Sequence, residues 1–178
     1  DLIGIAGSFH SGDIHPRSDL DLCIVINDDR AWQIGACFIL GDVAHDLYCT
    51  PWERLEEMAA CKNPYVTKLF ELDIVYQRNE AALTRYFALR AAAAARLESP
   101  LSREDCDRAD VHVAEASRIY ADLMLADDRG RCRYAAAGFL LASEYAVYLY
   151  NKTYVRRGIR RVPEELAAMP RLPAQYMT

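Results

Sequence analysis

Gly7-Ser8-Phe9-His10-Ser11-Gly12 and the later Ser18-Asp19-Leu20-Asp21-Leu22-Cys23-Ile24-Val25-Ile26 hold the residue types best suited to chemistry. The first is a turn of small residues able to hold phosphate. The second sets two aspartates at the mouth of an apolar run. Residues i and i+2 of a strand share a face, so this spacing predicts that Asp19 and Asp21 point the same way. Paired carboxylates want a cation. Their hard oxygens select magnesium or manganese, and magnesium takes one or two carboxylates and completes its shell with substrate phosphate. The combination reads as metal-dependent nucleotide chemistry. A lone Asp-x-Asp pair more often caps turns around a strand, so a further acid is the test.

Asp46 is the best candidate for that acid. It falls inside Val43-Ala44-His45-Asp46-Leu47-Tyr48-Cys49, where a mid-strand carboxylate is costly unless ligated or hydrogen-bonded. If this strand neighbours Leu20 to Ile26, three acids converge, as a two-metal site requires. Asp42 is the alternative, but beside Gly41 it suits a turn. His10 and His15, near the phosphate turn, and Arg17, near the acids, have the chemistry to touch phosphate. Loop residues of these types are ordinarily solvated, however. His45 points to the strand face opposite Asp46.

These residues need particular elements to position them. Leu2 to Ala6 reads as a buried strand, residues 7–12 as a turn opening a short helix, and Leu20 to Ile26 as a second strand. A short helix over Ala31 to Gly35 precedes two apolar arms, Cys37 to Leu40 and Ala44 to Cys49, with Gly41-Asp42 as their hairpin turn. Thr50-Pro51 has the form of an N-cap followed by proline at the first helical position, leading into Trp52 to Cys61. After a short strand at Asp73 to Tyr76 the pattern becomes helical: Glu80 to Leu97, then a capping box at Ser102 to Asp105 opening a helix to about Asp127. Gly130 separates this from a largely buried helix, Arg131 to Lys152, and the proline-containing tail holds one further short helix. The expected architecture is α+β, with a catalytic domain of mixed sheet and flanking helices over residues 1–78 and an α-helical bundle over 79–178.

The 178 residues are 52% hydrophobic, enough for a sizeable core. No apolar run reaches the roughly 18 residues needed to span a bilayer. The net charge of −5 argues against a general nucleic-acid binder, whose affinity comes from clustered Lys and Arg; it suits a cationic substrate better, though a mildly acidic charge that simply keeps a protein in solution is the commoner reading. Six scattered cysteines without metal-binding spacing suit a reducing cytoplasm. The chain opens on Asp1 with a strand starting at once, so the native start is expected to lie upstream and no targeting signal can be read.

Gly-Ser, a gap of about ten residues, Asp-x-Asp on a strand and a further acid on a later strand resemble the nucleotidyltransferase superfamily that includes DNA polymerase beta. The resemblance implies that Gly7 and Ser8 cradle a triphosphate, with Ser18 grouped with them on the nucleotide side. Asp19 and Asp21 would ligate two magnesium ions, and Asp46 would ligate metal or accept the nucleophile's proton. The helical half, with Gly130-Arg131-Cys132-Arg133 and Leu172-Pro173-Ala174-Gln175-Tyr176, is similar to kanamycin nucleotidyltransferase and its relatives. That second resemblance implies ATP as co-substrate and transfer of AMP to a hydroxyl of a small molecule, with aminoglycoside-like compounds among the candidate acceptors. It assigns Arg131 and Arg133 to the triphosphate and Asp127 to the general base, with Asp122 and Glu115 further back, and it implies a homodimer. Arginines that merely complement a helix end at Asp127 and Asp128 are an equal reading. Glu144, inside an apolar helix, is expected to pair with an arginine or to face the cleft. Glu53, Glu56, Glu57 and Glu71 could attract a polycation. The alternatives are an antitoxin-like enzyme that nucleotidylates a protein and a catalytically silent nucleotide-binding module.

Overall fold

Five strands form one mixed sheet: β1 (Leu2–Ala6), β2 (Asp21–Ile26), β3 (Ala36–Leu40), β4 (Val43–Pro51) and β5 (Asp73–Gln77). Their order across the sheet is β3-β4-β2-β1-β5, with β2 and β4 parallel and the other pairs antiparallel. The computed structural model describes residues 1–156 and 161–177. Thr178, the end of the expected second domain, lies outside the described residues. The chain divides into two compact units, Asp1–Leu97 and Glu98–Val155, the second completed by the C-terminal segment. The architecture is α+β, a mixed sheet with flanking helices followed by a helical part.

In the first unit the period-2 alternation of β2 decides which face is buried. Cys23 and Val25 point to one side, beside Leu2 of β1 and Thr50 of β4, and all four are buried. Burying one such aliphatic side chain stabilises the fold by about 1.5–3 kcal/mol. The segment carrying α3 (Thr67–Phe70) covers this face, with Leu72 against Gly4 and the Lys68 ammonium 3.8 Å from the centre of the Tyr48 ring. The helix α4 (Glu80–Glu98) adds Tyr86, fully buried, whose hydroxyl donates to the carbonyls of Lys68 and Leu69. A 3-10 helix, Asp29–Ile34, lies against the other face, where the Cys49 thiol donates to Ala31 O.

Two boundaries differ from the sequence pattern for tertiary reasons. Thr50 does not cap a helix: it pairs with Val25 and is only 2% exposed, so the ladder carries β4 on to Pro51. The helix α2 (Trp52–Ala59) then starts from Pro51 without a side-chain cap. The strand β2 begins at Asp21, so Asp19 lies in the preceding loop rather than on the strand. The hairpin turn is as expected. Gly41 and Asp42 have φ values of 58° and 64°, the pair of left-handed conformations of a type I′ turn, so Asp42 is a turn residue.

The second unit is built around α5 (Arg103–Met124) and α6 (Arg129–Tyr150). Buried alanines at 109, 116, 142 and 146 let the helix backbones approach. The predicted capping box is present: the Ser102 hydroxyl accepts from Asp105 N–H and the Asp105 carboxylate accepts from Ser102 N–H. Asp105 also receives the Lys152 ammonium at 2.9 Å. Asp128 caps α6 by accepting from the N–H groups of Gly130 and Arg131. Gly130 and Arg131 therefore belong to the first turn of α6. Val147, Tyr148 and Val155 join Val162 and Leu166 of α7 (Val162–Ala167) in a separate core cluster.

Candidate active site

Strand β1 delivers the chain into the Gly-Ser turn. Gly7 has φ +67°, and a Cβ there would lie 2.2 Å from Asp21 Oδ2, so only glycine lets the turn close on this carboxylate. Residues Gly7–Ser11 form the single-turn helix α1. The Ser8 hydroxyl, one residue on, is buried without a hydrogen-bond partner among the described residues. An unpartnered buried hydroxyl is costly, and a phosphate oxygen is a group that could satisfy it.

The acids meet through strand register. Asp21 is paired with Asp46 across the parallel β2–β4 ladder, and Ala6, next to Gly7, is paired with Asp21 across β1–β2. Burial pushes the Asp21 carboxyl above the usual carboxylate range, and the charges of Asp19 and Asp46 push it further. Asp19, though in a loop, is therefore close enough to act on Asp21. His45 explains how. Its Nδ1 accepts from Leu20 N–H at 3.0 Å, and Asp46 N–H donates to Leu20 O at 3.2 Å, so β4 grips the residue between the two aspartates from both sides. Sequence reasoning placed His45 on the opposite face but missed this role, which only the β2–β4 pairing creates.

A second missed residue is Cys37, the antiparallel partner of Asp46 on β3. Its thiol hydrogen-bonds the Asp46 carboxylate, which pushes the thiol pKa up. Behind the acids, Tyr48 shares the face of Asp46 and hydrogen-bonds the buried Cys23 thiol, whose pKa burial raises to about 11.

The other candidates are placed as follows. His10 Nε2 hydrogen-bonds Glu71 Oε2 at 3.0 Å, and its Nδ1 lies 3.0 Å from Asp73 Oδ1 without hydrogen-bond geometry, at the start of β5. The His15 N–H donates to the Ser18 hydroxyl and Ser18 N–H donates to His15 O, so Ser18 shapes the loop that precedes Asp19. Glu56 pairs with Arg85 and Glu57 with Arg54, and Glu71 is the partner of His10. In the second unit, Asp127 and Arg131 form an exposed ion pair at 3.0 Å, Arg133 is exposed on α6, and Asp122 and Glu115 pair with Arg118. Burial raises the Glu144 carboxyl, and among the described residues no arginine pairs with it.

Among the described residues no three His, Cys, Asp or Glu side chains stand together as a ready ligand set. The donor chemistry nevertheless fits magnesium, which asks the protein for only one or two carboxylates and takes the rest of its shell from phosphate and water. The charges of Asp19 and Asp46 both disfavour ionisation of Asp21, an arrangement that a divalent ion would relieve.

No protein-family model and no curated protein matches the chain. Among solved structures it is similar to a nucleotidyltransferase-like protein from Exiguobacterium sibiricum 255-15, with a TM-score of 0.48 and 15% sequence identity over 94% of this chain. The match covers 56% of that protein's chain, so this chain spans little more than half its length. Among the described residues no helix is long and apolar enough to cross a membrane.

Proposed function

We propose that the chain is a metal-dependent nucleotidyltransferase that moves AMP from ATP to a hydroxyl of a small molecule. One observation carries this reading: the Gly7-Ser8 turn closes against Asp21 while register sets Asp46 beside it. Phosphate-binding groups and carboxylates thus meet at one strand end. The acceptor oxygen attacks the α-phosphorus in line, its bond to phosphorus forms as the bond to pyrophosphate breaks, and its proton passes to a carboxylate.

The Gly7 and Ser8 amides and the Ser8 hydroxyl would hold the β- and γ-phosphates. Asp19 and Asp21, with Asp46, would hold magnesium, which when bound offsets charge on the departing pyrophosphate and acidifies the acceptor hydroxyl. We assign Asp46 to proton acceptance, because strand register sets it beside Asp21. Arg131 and Arg133 are the proposed further contacts to the triphosphate, and adenine is taken from the resemblance alone. The acidic side chains best suited to a polycation, Glu56, Glu57 and Glu71, have partners of their own. The proposed acceptor is a small hydroxyl compound, with aminoglycosides among those to try.

The test is incubation with magnesium, ATP labelled at the α-phosphate, and a panel of acceptors that includes aminoglycosides and cell protein. Acceptor-dependent label transfer with stoichiometric pyrophosphate release is expected. Tight ATP binding with no release under any condition would make the chain a silent nucleotide-binding module, and label on protein would move the acceptor class. Light scattering of the same sample tests the homodimer.

A further inference from the structure

The second unit contains a cavity of about 650 Å³ built only from its own elements: one wall from α5, one from α6, and a strap from residues 171–176. Val113, Tyr120, Phe139, Ser143, Arg171 and Tyr176 define its shape. This volume lies within the range of small-molecule sites, which are mostly apolar and carry a few placed polar groups.

The polar groups show what kind of molecule fits. The Ser143 hydroxyl donates to Leu140 O and accepts from the Tyr176 hydroxyl, and the Ser117 hydroxyl donates to Val113 O. These hydroxyls are satisfied internally, so the walls make little demand for water. The Tyr120 and Phe139 rings lie 6.0 Å apart, tilted at 50°, a spacing at which aromatic rings interact and against which a further ring can pack. Arg171 differs from the rest. Its backbone N–H donates to Asn151 Oδ1, which anchors the main chain, and its Nη1 donates to Tyr150 O, which holds the guanidinium beside the cavity. Among the described residues no carboxylate pairs with it. A guanidinium that spends one N–H on a neutral carbonyl has several donors left for an anion.

We propose that this cavity binds a small aromatic anion, its ring body between α5 and α6 and its carboxylate or sulfonate on Arg171. The strap carrying Leu172 and Tyr176 closes over the ring, and Arg171 sets the orientation. The site draws nothing from the strand-end acids and does not depend on their chemistry.

Anilinonaphthalene sulfonate, an aromatic anion of suitable size, is the probe, with neutral phenylnaphthylamine as its uncharged counterpart. Titrated into the full chain, the sulfonate should give a saturable fluorescence rise at one site per chain. Val113→Trp, at a position already 43% exposed, should obstruct the space between α5 and α6 and weaken binding of both dyes while the circular dichroism melt is retained. Arg171→Gln should weaken the sulfonate about tenfold, the worth of one charge-assisted hydrogen bond, and leave the neutral dye unchanged. Non-saturable binding, or binding unaffected by Val113→Trp, overturns the site. Equal effects of Arg171→Gln on both dyes overturn the anion assignment. A change in oligomeric state with Val113→Trp, seen by light scattering, also overturns the proposal, because the cavity would then be a face between copies.

Discussion

The two units treat charge in opposite ways. Near the starts of β2 and β4, burial raises the Asp21 carboxyl, and the charges of Asp19 and Asp46 raise it further. In the helical unit Asp105 takes Lys152, Asp127 takes Arg131, and Arg118 sits between Glu115 and Asp122. The Asp105 carboxyl is partly buried, which opposes its ionisation, yet bonds from Ser102 and Lys152 hold it at about 2. Carboxylates that stabilise a fold are paired and titrate low, whereas carboxylates kept for a ligand are left to repel one another. On the proposed function, the contrast between Asp21 and Asp105 would separate a residue held for chemistry from one held for stability.

The largest effect should come from breaking the first set. Asp21→Asn is expected to lower label transfer on the order of a thousandfold or more, the several kcal/mol that a metal-held charge supplies. Its melting temperature should be no lower than that of the parent chain, because a repelling charge has been removed. A collapsed melt would place Asp21 with the structural carboxylates. His45→Ala should lower kcat by about a hundredfold, the scale for a misplaced catalytic group, since it releases Leu20 without touching a carboxylate. Unchanged kcat would show that backbone pairing alone sets the two aspartates. Gly7→Ala forces a side chain into the Asp21 carboxylate and a left-handed backbone, so unfolding in denaturant should show a loss of about 1–3 kcal/mol.

The helical side of the comparison is sharpened by pH. The folded pKa of Asp105 is depressed, so its contribution to stability is present above the ordinary carboxylate value of about 4 and is lost as pH falls toward about 2. Asp105→Asn should therefore melt lower than the parent chain at neutral pH, and the two melting curves should converge across that acid window. A constant gap would mean that the residue acts by packing. Smallest of all, Arg131→Gln removes one exposed ion pair and should change stability by no more than about 0.5 kcal/mol. A raised KM for ATP with an intact melt would support the triphosphate contact proposed for Arg131.

Much of the strand end was legible from local pattern. Glycine before serine, two acids spaced by one residue and an acid inside an apolar run each conflict with simple burial, and such conflicts mark sites. The same locality explains the misses. Thr50-Pro51 reads as a helix start because capping is a short-range signal, but Val25 opposite Thr50 extends the strand instead. His45 and Cys37 carry no motif, since their roles depend on which strand lies next to which. Ser102 and Asp105 were readable because a capping box is complete within four residues.

By itself the sequence determined the element types, the buried period of β2, the hairpin turn at Gly41-Asp42 and the identity of the candidate acids. All of these depend on contacts within a few residues, where backbone sterics and side-chain alternation act directly. Only the tertiary structure decided that β4 lies parallel to β2, that Asp46 therefore stands beside Asp21, that His45 holds the loop carrying Asp19, and that α5 and α6 leave a cavity at Arg171. Those outcomes depend on the pairing of distant segments, which is selected by the whole buried surface rather than by any one stretch of residues.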